Sequence, residues 1–269
     1  MTSLVIIKIL LVASISAYTF SAFSYGLKRG KYGIALFTAG WLGSIAIFLI
    51  NWLEANAPPF GNMYQVQVFL SICFLPLYVF LSRRDNLGWT GVYFAAVSGL
   101  SLIGAFCMSP DITWKRMPAL QSPWFVPHVV SYMISYALAA VAFIMYLVGK
   151  IMEKTGNVSN NKYDRAIYAI LGVAFPFMTF GMLSGALWAE EAWGTYWSWD
   201  RKETWSLITW TLYLIYFHCL TKKNLIKYAG LVQVLAFLAL ITTFFLVNLW
   251  PKLSSVLHSY SSSIEGAIL

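Results

Sequence analysis

Five indoles stand within eighteen residues in the run Trp188-Ala-Glu-Glu-Ala-Trp193-Gly194-Thr-Tyr196-Trp197-Ser-Trp199-Asp200-Arg201-Lys202-Glu203-Thr204-Trp205. Indole is a broad apolar plate with one N–H donor at its rim, so this run can form a flat aromatic surface edged by charge. A flat ligand suits such a surface. Two simpler roles explain part of the pattern. Trp and Tyr gather at bilayer interfaces, where an apolar ring with one polar atom sits at headgroup level. Asp200 with Glu203 three residues on has the form of a capping box and predicts a helix starting near Arg201. Anchoring does not require five indoles with Gly194 set among them.

The chain has three histidines. His128 follows Trp124-Phe-Val-Pro127, and His258 lies in Val256-Leu257-His258-Ser259-Tyr260. His218, in Tyr216-Phe217-His218-Cys219, is eighteen residues beyond Asp200, or about 27 Å of helix at 1.5 Å per residue. It cannot serve the same site as Asp200. A single histidine is ordinarily an interfacial or hydrogen-bonded residue, but ionisable groups in a membrane are costly and lean towards function. Two imidazoles flanking an aromatic plate match a flat iron macrocycle, because imidazole supplies axial ligands and rings cover the porphyrin edge. The constellation points to haem. Cys73, Cys107 and Cys219 show no paired spacing and no C-x-x-C-H pattern, so they read as packing residues.

The elements that must position these residues are membrane helices. The chain is 59% hydrophobic and 10% charged, with a mean hydropathy of +0.69, against roughly 25% charged residues in a soluble domain. At about 20 apolar residues per span, eight spans are predicted: Leu4–Phe23, Gly33–Leu53, Tyr64–Leu81, Gly88–Met108, His128–Met152, Ala166–Trp188, Trp205–Leu220 and Ile226–Leu249. The expected fold is therefore an all-α integral membrane protein, residues 1–269 forming one polytopic domain with 188–205 as an external Trp-rich loop. The first segment lacks a basic leader and a small-residue cleavage site and carries Lys8, so it reads as a retained helix.

Orientation follows from the basic loops. Lys28, Arg29, Lys31, Arg83, Arg84, Lys150, Lys154, Lys162, Arg165, Lys222, Lys223 and Lys227 follow spans 1, 3, 5 and 7, which places that side in the cytoplasm and both termini outside. Glu54, Asp111, Glu190, Glu191 and Asp200 then face outward with the Trp-rich loop, His128 and His258. These loops explain the net charge of +8, so no nucleic-acid partner is implied.

The Trp-Ala-x-x-Ala-Trp-Gly-x-Tyr-Trp-Ser-Trp-Asp-x-Lys-Glu-Thr-Trp pattern resembles the signature of the WWD haem-handling proteins. Its continuation through Leu207-Ile-Thr-Trp210 and Tyr216-Phe-His218 is similar to the CcsA (ResC-type) subunit of bacterial and plastid cytochrome c synthases. Pro59-Phe-Gly-Asn62-Met-Tyr64, Gln121-Ser122-Pro-Trp124 with His128, and Leu257-His258-Ser259-Tyr260 resemble further landmarks of that family, as does the eight-span layout. Two positions depart from it. Arg201 stands where Pro usually follows the motif Asp, and Gln65 where Glu is common, which removes an acid from that position.

The resemblance implies a haem b carried from the cytoplasm and held outside by His128 and His258 against Trp188, Trp193, Gly194, Tyr196, Trp197, Trp199, Asp200 and Trp205. There the two thiols of an apocytochrome c C-x-x-C-H segment would add to its vinyl groups, a haem-lyase activity of the complex. His218 would ligate an inner haem site whose second ligand comes from a CcsB/ResB-type membrane partner. A thioredoxin-like thiol reductant is a further implied partner. The implied location is a bacterial inner membrane or a plastid thylakoid, the bacterial one being expected. Two other readings stay open: a haem carrier of the shorter CcmC type, usually built on six spans, and a non-haem transporter or scaffold with an aromatic belt.

Overall fold

The computed structural model of the chain describes residues 2–108, 118–155 and 161–246. Every regular element among them is helical, in the order α1 (Thr2–Gly26), α2 (Gly30–Ala55), α3 (Met63–Arg84), α4 (Gly91–Phe106), α5 (Phe125–Lys154), α6 (Asn161–Trp193), α7 (Arg201–Thr221) and α8 (Ala229–Ile241), with short 3₁₀ turns between some of them and a π turn at Thr242–Leu246. Asp111, His258 and the rest of the C-terminal tail lie outside the described residues.

Local chemistry sets the helix ends. After α2, Asn56 adopts a left-handed cap at φ 50°, and Pro58-Pro59 forbids continuation. Asn62 then opens α3, its Oδ1 accepting from the Gln65 amide at 2.9 Å. Pro76 within α3 lacks an N–H, so the Ile72 carbonyl loses its helical donor. The Trp41 indole of α2 donates to it at 2.9 Å and joins the two helices. Gln65, where the resemblance leads one to expect an acid, is 1% exposed and accepts from the Gly61 amide at 2.8 Å.

Among the described residues, seven helical segments are long and apolar enough to cross a membrane: Ser3–Gly26, Gly30–Ala55, Met63–Arg84, Gly88–Phe106, Phe125–Lys154, Asn161–Trp193 and Ile226–Phe245. The chain is a multi-pass membrane protein. The eighth expected span exists as helix α7, but its composition falls short of that measure because Arg201, Lys202 and Glu203 occupy its first turn and Thr, Tyr and His are scattered along it. It is held by side-chain bonds as well as packing. The Trp210 indole donates to Thr179 Oγ1 of α6 at 2.9 Å, and Thr209 Oγ1 lies 3.4 Å from Thr243 Oγ1.

One apolar core runs from Ile7 in α1 to Phe244 beyond α8. Helices adjacent in sequence pair as α1–α2, α3–α4, α5–α6 and α7–α8, and α1–α4, α3–α5 and α5–α8 contacts join the pairs. Gly40 illustrates how close these approaches are, since a Cβ there would lie 2.9 Å from the Tyr18 ring. Small residues at such crossings let backbones pack where lipid offers no hydrophobic drive between helices.

Candidate functional site

The site is built on the α5–α6 pair. His128 and Tyr132 are four residues apart on α5 and so share one face; Gly185 and Gly181 receive them on α6. A Cβ on Gly185 would sit 2.5 Å from His128 Nδ1, and one on Gly181 would sit 3.0 Å from the Tyr132 ring. These glycines let the rings lie directly on the α6 backbone. His128 Nδ1 is 2.8 Å from the Gly181 carbonyl oxygen. A carbonyl only accepts, so Nδ1 carries the hydrogen and, in the neutral ring, the lone pair is on Nε2. Metal-ligating histidines commonly have one ring nitrogen fixed in this way by an outer partner.

Trp188 closes one side of this histidine. It is 5% exposed, its ring centroid lies 5.4 Å from the imidazole at 31°, and its indole donates to the Ala119 carbonyl at 2.7 Å. Ser122 Oγ donates to Glu191 at 2.5 Å. Both bonds tie the segment ahead of α5 to the end of α6. Trp193 packs behind Trp188 with centroids 4.8 Å apart.

The Trp-rich run is less of a loop than expected. Trp188–Trp193 belongs to α6 and Arg201–Trp205 to α7, because nothing before Gly194 breaks the helix and Asp200 starts the next one. The turn proper is 194–200. Gly194 sits at φ +77° with nothing within 4 Å of where a Cβ would lie, a conformation that costs glycine little. Trp199 sits at φ 60°, which costs a bulky residue about 1–3 kcal/mol, and is 69% exposed. It makes an edge contact with Trp197 at 5.8 Å. The capping box expected at Asp200 is present: Asp200 Oδ1 accepts from the Glu203 amide at 2.8 Å, and Glu203 Oε2 accepts from the Asp200 and Ser198 amides at 3.3 and 2.8 Å. Asp200→Ala is expected to remove about 1 kcal/mol of helix stability and to speed hydrogen exchange at residues 201–204, while Asp200→Asn, which still caps, leaves exchange slow. Unchanged exchange in the Ala variant would contradict this.

Between these elements lies a cavity of about 90 Å³ lined from α3 by Met63, from α5 by His128, Tyr132 and Tyr136, from α6 by Gly185 and Trp188, from the turn by Tyr196 and Trp197, and from α7 by Lys202, Glu203 and Ser206. Thr243 and Phe244 of the π turn complete the wall. That volume takes a group the size of an imidazole or a carboxylate. Trp197 Nε1 is buried with no acceptor, an open donor in the wall. Lys202 precedes the apolar stretch of α7 that starts at Trp205. Burial of its ammonium pulls its pKa down to about 8, against the opposing pull of the Asp200 carboxylate.

Of the residues expected from sequence, His128, Trp188, Tyr196 and Trp197 line one cavity. Trp193, Gly194, Trp199, Asp200 and Trp205 shape its surroundings and are not in its lining. His218 is exposed in the last turn of α7 and lines no part of this cavity. Lys202, Ser206, Tyr132, Tyr136 and Gly185 are lining residues that sequence reasoning missed. The spacing of four from His128 to Tyr132 to Tyr136 is the signal that would have found the aromatic face.

Fold and site together define a multi-pass membrane protein with an aromatic-walled histidine pocket at one end of its bundle. The cytochrome C assembly protein family matches residues 60–254. The cytochrome c biogenesis protein CcsA of Chlamydomonas reinhardtii is 34% identical over 230 residues, covering 80% of this chain and 64% of that protein. CcsA of Mesostigma viride is 32% identical over 254 residues, covering 80% of this chain and 82% of that one; CcsA of Gossypium hirsutum is 33% identical over 270 residues, covering 80% and 81%. The chain belongs to the cytochrome C assembly protein family, within the branch that these CcsA proteins represent.

Proposed function

We propose that this chain is the haem-handling subunit of a cytochrome c synthase, receiving or moving haem b and presenting it on the outer face of the membrane for attachment to apocytochrome c. One observation carries the reading: His128, fixed through Nδ1 by the Gly181 carbonyl at 2.8 Å, stands against Trp188 in a cavity that also holds the indole of Trp197. The donor set fits haem, since a neutral imidazole with its lone pair on Nε2 is an iron ligand and apolar rings cover a porphyrin face.

His128 and, from the tail, His258 would hold the haem iron through their imidazoles, and the bound haem would supply the vinyl groups that accept the thiols. Trp188, Tyr196 and Trp197 would exclude water and orient the group. The protein's contribution is then orientation. Each thiol of the C-x-x-C-H segment adds across a vinyl double bond, forming one C–S and one C–H bond with no leaving group and no net oxidation. The thiols must arrive reduced, which calls for a thioredoxin-like reductant.

His218 serves a separate inner haem site, and its exposure on α7 suits a second ligand contributed by a CcsB/ResB-type membrane partner. The basic segments after α1, α3, α5 and α7 lie on the cytoplasmic or stromal side, leaving both termini and the pocket outside. The relatives named above come from algae and a land plant, which favours a plastid thylakoid over the bacterial membrane expected from sequence.

Co-expression of the chain with its partner subunit and an apocytochrome c, in a host stripped of its own maturation system, tests the proposal. Holocytochrome whose haem survives acidic acetone extraction is the expected product. Haem that reaches the apocytochrome but extracts freely would instead fit a carrier without ligase activity.

A further inference from the structure

We propose that the groove between α2 and the second half of α3 binds an anionic diacyl phospholipid, with the acyl chains along the groove and the phosphodiester at Arg83. The inference is independent of the haem reading above.

The groove has a volume of about 720 Å³ and is lined by Trp41 from α2 and by Pro76, Val79, Phe80, Arg83 and Arg84 from α3. The α3 residues recur three or four apart and so form one stripe on that helix. The stripe is apolar from Pro76 to Phe80 and cationic in the last turn. Eight residues separate Pro76 from Arg84, about 12 Å of helix. Half the hydrocarbon core of a bilayer is about 15 Å. The groove therefore has the depth of one leaflet, and its charge falls at headgroup level.

The walls of the groove are held by named contacts. Pro76 leaves the Ile72 carbonyl without its helical donor, and the Trp41 indole that donates to it at 2.9 Å is thereby pinned. Pro76 and Phe80 are exposed on the apolar stripe, Phe80 at 48%. The Arg84 guanidinium lies 5.4 Å from the centre of the Phe80 ring, a distance at which a cation is attracted to an aromatic face.

Charge decides which lipid fits. Arg84 Nε lies 2.9 Å from Asp85 Oδ2, so that pair is compensated. Arg83 is exposed and lines the groove, and it has no ion pair or hydrogen bond among the described residues. The end of the groove thus carries one uncompensated positive charge, which a phosphodiester monoanion balances. Guanidinium matches phosphate oxygens with two parallel N–H donors. A zwitterionic headgroup brings its own cation and gains less.

The test uses the full chain with its partner subunit, delipidated in detergent and titrated with phosphatidylglycerol or phosphatidylcholine carrying the same fluorescent acyl chain. Wild type is expected to prefer phosphatidylglycerol by about 5- to 10-fold, the worth of a basic residue at headgroup level. Arg83→Gln cuts that preference to about twofold or less and leaves phosphatidylcholine binding unchanged; Arg83→Lys keeps most of it. Val79→Trp fills the groove and weakens both lipids alike by about tenfold, because the chains lose apolar contact. Arg83 is exposed at a helix end, so its variants serve even if Val79→Trp fails to fold. Equal binding of both lipids by wild type, or unchanged binding in Val79→Trp, overturns the proposal. So does equal competition by glycerophosphoglycerol, the headgroup without chains, which would make this a simple phosphate site. Absence of lipid binding, with loss of the partner subunit in Val79→Trp, would give the groove to a partner helix and overturn it as well.

Discussion

Replacing His128 by Ala is expected to reduce holocytochrome c to about a tenth of wild type or less, and added imidazole is expected to restore part of it. The size follows from what the side chain contributes. The imidazole is held by the Gly181 carbonyl at 2.8 Å and lies tilted against Trp188 at 5.4 Å, so on the haem reading its loss would remove a preorganised ligand, an effect of the order of 1.4 kcal/mol for each tenfold change. Free imidazole fits the gap that Ala leaves and can restore the nitrogen without the tether. The readout is haem staining of the apocytochrome after co-expression. Wild-type holocytochrome in the variant would show that His128 is a packing residue. A loss of protein from the membrane would be a folding effect, and it is separated from loss of ligand by the rescue, since imidazole does not refold a protein.

Gly185→Ala is the second large effect, reached without touching any group that can bind iron. A methyl at this position would lie 2.5 Å from His128 Nδ1 and 2.6 Å from Cε1. The neighbour is a ring on a short tether with Trp188 and Tyr132 on its flanks, so the imidazole must tilt away and its bond to Gly181 lengthen. Disturbing an outer partner of a ligating histidine typically costs about 10- to 100-fold in metal affinity, and that is the expected loss in haem titration. Alanine favours helix over glycine by about 1 kcal/mol, so α6 itself should not suffer. The circular dichroism of the variant should match wild type while haem binding falls. Unchanged affinity would mean that the imidazole has room to move and is not held as described.

The same residues show why part of the site was legible in the sequence. Apolar runs of about 20 residues announced eight helices, and the departures lie where composition is mixed: α7 carries three charges in its first turn and polar residues beyond. The indole cluster and the proline-led entry to α5 marked Trp188, Tyr196, Trp197 and His128, because these residue types are conspicuous and the chain places them at helix ends. Asp200 was readable in two ways, as a ligand contact and as a cap, and its bonds show the cap.

Other features arise only from how helices meet. Lys202 sits in a stretch of charge at a helix N-terminus, which in sequence looks like a solvated cap. Its enclosure depends on α3, α5, α6 and the π turn after α8 converging on α7. Gly181 and Gly185 look like ordinary small residues of a membrane helix until the α5 rings are laid on them. The Trp-rich run reads as a loop from its mix of indoles and charges, yet nothing before Gly194 breaks the helix, and α6 continues through Trp193. His258 belongs to the tail beyond the described residues.

The most direct measurement is the absorption spectrum of the chain purified with its partner subunit, wild type beside His128→Ala, with and without added imidazole. The account predicts a reduced low-spin haem b spectrum in wild type, weakened or shifted in the variant and recovered with imidazole. Identical spectra in wild type and variant, or a haem-free wild type from cells with ample haem, would contradict it.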